Sequence, residues 1–256
     1  STGPHLRMEQ RLEVSTADFK KGAAITVRDP QRQRALHSLY EGLHKNRIEA
    51  SAATENWEEL RERGRAIRWH AINNLDHYLE MLEQNVTANG GNVFFASDSS
   101  EATRYVTDIA QRGGVKTVIK SKSMVSEEMG INPALETAGI EVVETDLGEY
   151  IIQLAKEPPY HLIAPAIHKS RDQISDLFAK TTGGPREESA EELTATARGL
   201  LREAFERAEM GITGVNFAVA ETGSIALVTN EGNGRMVTSA TRIHVAIMGL
   251  EKVIPS

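Results

Sequence analysis

Between residues 92 and 182 short β-rich runs alternate with amphipathic stretches, and that alternation restricts the fold more than any other feature of the chain. Asn92 to Ala96 reads as a strand, Asp98 with Glu101 three residues on makes a capping signal, and a helix runs to about Arg112 before Gly113-Gly114. Val115 to Ile119 is strand, Met124 to about Gly130 and Pro133 to Ala138 are short helices, and Ile140 to Glu144 is strand again. Leu147 to Lys156 reads as helix, His161 to Ala164 as strand, and His168 to about Lys180 as helix. Apolar strands separated by helices need cover on both faces, so the expectation is an α/β fold with a mostly parallel sheet.

The flanks follow different patterns. Residues 1–50 are polar and weakly periodic, Arg28-Asp29-Pro30 breaks any early helix, and one short helix is expected around Arg34 to Leu43. This reads as an N-terminal helical arm, with the domain boundary drawn at 1–55 and 56–256. Trp57, Leu60, Ile67, Leu75, Tyr78, Leu79, Leu82 and Val86 recur at helical spacing until Gly90-Gly91, as one long helix or two in succession. Beyond Gly183-Gly184-Pro185, Leu193, Ala197, Leu200, Leu201, Ala204, Phe205 and Ala208 form one apolar stripe on a helix that stops at Gly211. Val215 to Ala220, Ile225 to Thr229 and Arg242 to Met248 are three β-rich runs with Gly-containing turns and no helix between them. They should pair as antiparallel or mixed strands.

Composition narrows the function classes. With 256 residues, 40% of them hydrophobic, the chain can bury one core of ordinary size without staples. It has 29 Lys and Arg against 36 Asp and Glu, and no basic stretch is interleaved with aromatics, so no nucleic-acid partner is expected. No window offers the ~20 apolar residues of a membrane span and no leader pattern opens the sequence, which reads as cytoplasmic. The absence of cysteine excludes disulfides, thiolate zinc and cysteine-ligated iron–sulfur clusters within these residues. Neither HExxH nor GxSxG occurs, and no metal site is expected.

Four clusters could carry chemistry. Lys120-Ser121-Lys122-Ser123 closes a strand just before a helix, the edge of an open sheet where anions bind; Ser123 as a plain cap beside solvated lysines is the alternative. Glu144-Thr145-Asp146-Leu147-Gly148-Glu149 holds the same place one unit later, although acidic residues at a helix start are also favoured by the helix dipole alone. His168 follows a third predicted strand end, where it is either a proton shuttle or a cap. Glu221-Thr222-Gly223-Ser224 and Thr229 to Arg235 are Gly-rich connections: Gly232 and Gly234 would admit backbone amides to a ligand, and Arg235 would clamp a carboxylate or phosphate. A plain hairpin uses the same residue types, and the spacing fits neither phosphate-loop fingerprint.

These runs, with His161 to Lys169 and Gly211 to Phe217, occur in an order that resembles the lactate-utilisation protein B family over roughly residues 10–256. The shared module is the LUD domain, similar in fold to sugar-phosphate isomerases and CoA transferases, which implies a Rossmann-like, mostly parallel sheet. The resemblance implies an iron–sulfur protein that works with companion proteins A and C to oxidise L-lactate to pyruvate. The family's cysteine-rich segment lies C-terminal to the LUD domain, so clusters are expected in a full-length member and none in this cysteine-free chain. The module would then supply a pocket for a small carboxylate or phosphate-like anion, with Lys120, Lys122 and Arg235 as anion partners. Gly223, Gly232 and Gly234 would line it, and Glu221 and His168 would transfer protons. Two alternatives stand beside this: a stand-alone isomerase- or CoA-transferase-like enzyme using Glu221 as an acyl-forming glutamate, and a non-catalytic scaffold whose arm and 56–89 helix hold partners.

Overall fold

The computed structural model describes residues 18–229 and 231–256. The first 17 residues of the expected arm and Asn230 lie outside the described residues. The described part opens with helices α1 (Phe19–Arg28), α2 (Pro30–Leu39), a π-helical turn (Tyr40–His44), α3 (Lys45–Ala53), α4 (Trp57–Asn73) and α5 (Leu75–Ala88). Helix is thus more continuous here than the short stretch expected at 34–43. Asp29 explains the difference: its carboxylate accepts from the Gln31 and Arg32 amides, and Pro30 sits in the first turn, where its missing N–H is not needed. The breaker starts a second helix instead of ending helical structure. Asn74 divides the 56–89 stretch into two helices in succession.

The central sheet contains β1 (Thr117–Lys120), β2 (Glu141–Glu144), β3 (Met210–Gly214) and β6 (Ile243–Ile247), ordered β2-β1-β3-β6 and parallel throughout. One face packs Val118, Met210 and Ile212 against Val106 and Ala110 of α6 (Ser99–Arg112) and Ile131 and Leu135 of α8 (Ile131–Thr137). The other packs Ile119 and Val143 against Tyr150 of α9 (Leu147–Ala155), Ala204 of α11 (Ala190–Arg207) and Val237 of α12 (Asn233–Ser239). Each buried Val or Ile of this sort contributes about 1.5–3 kcal/mol, and that two-sided burial holds the α/β layers together. A second sheet, β5-β4-β7, is mixed: β4 (Phe217–Val219) pairs antiparallel with β5 (Ser224–Ala226) and parallel with β7 (Val253–Ile254). Val215, Ala218, Ala220 and Val253 of this region pack on Leu82 of α5.

Four local expectations are corrected. Residues 92–96 form no strand; Phe94 stacks on Tyr105 of α6 with ring centroids 3.8 Å apart. Residues 161–164 form a turn, because the His161 Nδ1 accepts the amides of Ile163 (3.2 Å) and Ala164 (3.3 Å). A strand, β3, stands in the middle of the sheet where the preceding helix was expected merely to stop, and Gly211 within it lets the Val237 carbonyl of α12 approach closer than a side chain would allow. Helix α12 occupies a stretch expected to hold none, and β6 joins the parallel sheet beside β3. Among the described residues no helix is long and apolar enough to cross a membrane.

Candidate functional site

Connections leave β1 towards β2 on one side and β3 towards β6 on the other, so the chain diverges at the carboxyl ends of β1 and β3. Open parallel sheets bind ligands at such a point. The first residue there is Lys120, and it is wholly buried. Its Nζ lies 2.9 Å from Glu144 Oε1 and 3.2 Å from the Ser126 hydroxyl of α7 (Met124–Glu128), and Glu144 Oε1 also accepts from Asn132 at 2.7 Å. Parallel register pairs Lys120 with Glu144 directly, which is how two charges come to neutralise one another inside the sheet edge. The structure therefore turns Lys120 inward, away from any open anion site.

Lys122 points elsewhere. Its Nζ is 2.5 Å from Glu149 Oε1 and donates to the Ile163 carbonyl at 3.0 Å, while its amide donates to Asp146 Oδ2 at 2.6 Å. Glu231, ahead of α12, accepts the Leu147 amide at 3.2 Å, and Asn233 donates to the Thr145 hydroxyl at 3.1 Å. These bonds draw the loops after β1, β2 and β5 into one polar edge.

Beside it opens a cleft of about 250 Å³ lined by Glu127, Glu149, Pro165 and residues 159–162. Gly148 lets Pro165 pack against the start of α9, since a side chain there would meet the proline ring at 3.1 Å. Burial pushes the carboxyl of Glu127 above its usual range, and the Lys120 and Lys122 ammoniums only partly offset it against Glu144 and Glu149. Burial likewise raises Glu149, opposed by its hydrogen bond from Lys122. Glu231 is raised by burial too, with Asp146 and Glu149 adding to the effect against the Leu147 bond. Of the three, Glu149 is the enclosed one and touches the half-buried Lys122 ammonium, while Glu127 and Glu231 lie at the exposed rim. The two amides given to His161 Nδ1 leave the proton of its neutral ring on Nε2, a donor on the cleft wall.

The other sequence candidates are placed as follows. His168 bonds through Nε2 to Glu157 (2.9 Å), which also holds Lys169 (2.6 Å), and its ring packs on Tyr160 with centroids 5.0 Å apart. It braces a wall residue from behind. From α2, Gln31 donates to the His168 carbonyl at 3.0 Å, and the Arg32 guanidinium lies 5.4 Å from the Tyr160 ring centroid, so the arm packs on the same wall. Glu221 and Gly223 form the exposed β4–β5 turn against α5. Asn85 donates to the carbonyls of Ala220 (2.8 Å) and Glu221 (3.1 Å), and Gly223, at φ 66°, leaves no room for a Cβ, which would sit 2.6 Å from the backbone of Asn85 and Val86. Gly232 starts α12 with φ 82°, Gly234 is buried against Thr229, and Arg235 is exposed with no ion pair among the described residues. Glu127, Tyr160 and His161 were not singled out from sequence. Glu149 stood in a recognised run, but its helix-start position masked its contact with Lys122, 27 residues away.

Iron–sulfur ligation does not fit this chain: it has no cysteine, and among the described residues no group of three or more His, Asp or Glu could hold a metal. The LUD domain model matches residues 79–256, from within α5 through both sheets and the cleft. The chain belongs to the LUD domain family. Over 246 residues it is 46% identical to Lactate utilization protein B of Bacillus licheniformis, covering 96% of this chain and 52% of that protein. It is 46% identical over 245 residues to the uncharacterized electron transport protein YkgF of Escherichia coli K12, with the same two coverages. Lactate utilization protein B of Bacillus thuringiensis is 45% identical over 245 residues, again at 96% and 52%. This LUD domain chain therefore spans about half the length of the curated relatives it matches. No solved structure matches it.

Proposed function

We propose that this chain is the LUD module of an iron–sulfur lactate-utilisation protein, one part of a multiprotein system that oxidises L-lactate to pyruvate together with companion proteins A and C. Residues 1–55 are its arm and 56–256 its LUD domain. The names and identity of the relatives support the system. Oxidising a 2-hydroxy acid releases two electrons and two protons. With no thiolate in this chain, clusters that would accept the electrons would have to be held outside these residues, and the module's share is to bind a small carboxylate and exchange protons.

The observation that carries the binding role is the placement of Lys122, an ammonium half-buried at the diverging edge of the sheet beside a cleft of about 250 Å³. That volume, just below the drug-sized range, suits a small metabolite. Lys122, at the cleft's edge through its contacts with Glu149 and the Ile163 carbonyl, is the anion partner, His161 Nε2–H and the backbone beside it supply further donors, and Glu149 is the carboxyl placed to exchange a proton. The test is calorimetric titration with L-lactate, pyruvate and inorganic phosphate. Millimolar or tighter binding of a carboxylate that is lost in Lys122→Ala is expected; binding unchanged in Lys122→Ala would refute the assignment.

A further inference from the structure

The polar edge presents a difficulty for any anion. Four carboxylates gather near Lys122: Glu149 of α9 holds its ammonium at 2.5 Å, Asp146 ahead of α9 accepts its amide at 2.6 Å, Glu231 ahead of α12 accepts the neighbouring Leu147 amide at 3.2 Å, and Glu127 of α7 lines the same cleft as Glu149. The neighbouring Lys120–Glu144 pair is self-compensated and adds no free positive charge. From the cleft wall come Tyr160 and His161, and His161 keeps Nδ1 as an acceptor of two amides, a bonding pattern that a charged imidazole would break. Lys122 already gives one N–H to Glu149 and another to the Ile163 carbonyl, which leaves one for a ligand. A second carboxylate on that ammonium would meet Glu149, whose side chain is only 10% exposed, with little water to screen the repulsion. Two carboxylates in one such site do not both stay ionised; one takes a proton.

We infer that the cleft binds a small monocarboxylate together with one proton from solvent, which Glu149 takes up to become a neutral acid that donates its O–H to the ligand while the ligand's carboxylate receives the Lys122 ammonium. One O–H bond forms on Glu149, none breaks in the ligand, and no electrons move. The inference rests on the reading of the cleft as a carboxylate site, and it specifies that Glu149 is the group that makes such binding possible. It also gives the ligand class a lower limit: beside the carboxylate there must be an acceptor or an apolar group for the Tyr160–Leu162 wall, because the acidic rim disfavours a bare inorganic dianion.

The experiment is calorimetry of pyruvate and of L-lactate with the protein, in MES and in bis-tris, whose different ionisation enthalpies report protons taken up on binding. Close to one proton per ligand is expected, with affinity falling about tenfold for each pH unit above the Glu149 titration, as one linked proton requires. Glu149→Gln mimics the neutral acid in shape and in having a donor, so it should bind with no proton uptake and with an affinity that varies far less with pH than that of the unmodified protein. Carboxylate binding without proton uptake in the unmodified protein would overturn the inference and leave the cleft reading standing. Proton uptake that persists in Glu149→Gln and disappears in Glu127→Gln would overturn the assignment to Glu149. No binding of either acid at millimolar concentration, with circular dichroism showing the protein folded, would remove the cleft reading and the inference with it.

Discussion

The β4–β5 turn and the carboxyl edge of the parallel sheet both draw on Glu, Thr, Gly and Ser, yet they differ in what they do with charge. At the turn the polar side chains face water, and its glycine is required by the helix it touches: Gly223 lies against the α5 backbone, and Asn85 ties down the turn carbonyls. At the sheet edge the loops after three strands converge, and charges are paired there, Lys120 with Glu144 in the interior and Lys122 with Glu149 partly open to water. A polar Gly-rich run becomes a site only where several such ends meet and exclude water from one another. Where one hairpin meets one helix, the same composition is packing.

The largest effect that separates the two regions belongs to the buried pair. Lys120→Ala strands Glu144 in the interior and should destabilise the protein by about 3–5 kcal/mol in urea unfolding. Lys120→Met with Glu144→Leu, which removes both charges, should recover most of that loss. Next comes the turn: Gly223→Ala forces a Cβ into the α5 backbone at a left-handed φ and should cost about 1–3 kcal/mol, with no change in carboxylate binding. If it abolished binding, the contrast between the regions would fail.

Smaller still is a pH signature of opposite sign in two places. Glu127, Glu149 and Glu231 have folded values above the ordinary carboxylate range, so the folded state holds their protons more tightly, and stability falls as pH rises from the unfolded value through the folded one. Glu209, held low by the amides of Thr117 and Lys116, and Glu157, held low by Lys169 and His168, contribute stability above the ordinary range that is lost as pH falls through their folded values. Thermal melts of Glu149→Gln across mildly acid pH should therefore show a smaller decline on raising pH than the unmodified protein, and those of Glu209→Gln a smaller loss on lowering it. Lys122→Ala, which breaks a pair partly open to water, should change stability by no more than about 1 kcal/mol while removing ligand binding. Exposed Arg235→Ala should fall within about 0.5 kcal/mol and leave binding intact.

Much of this architecture can be read from the residues. Val118 with Ile119, and Val142 with Val143, announce β1 and β2 because strands buried on both faces must be apolar throughout. Met210 to Gly214 hides the equally central β3, since two of its five residues are glycines that serve α12 and Ser123 rather than strand propensity. Asn233 to Ser239 conceals α12, whose helicity comes from Val237 packing on the sheet and not from its own sequence. Phe94-Phe95 and Leu162-Ile163 have strand composition without strand structure, because no neighbouring strand pairs with them among the described residues. In the candidate site, the sequence shows two lysines at a strand end, and the structure places that strand end at the polar edge. The decision between Lys120 and Lys122 was not legible, because it depends on Glu144 and Glu149, partners 24 and 27 residues away that only the sheet register and the α9 position bring near.

The most direct measurement is chemical-shift mapping of the isotope-labelled protein titrated with pyruvate. The account predicts shifts concentrated at Ser121 to Met124, Glu149 and Tyr160 to Pro165, with the Glu149 side-chain carboxyl carbon moving to its protonated position. Shifts confined to Glu221 to Ser224 or around Arg235, with the Lys122 and Glu149 signals unmoved, would contradict it.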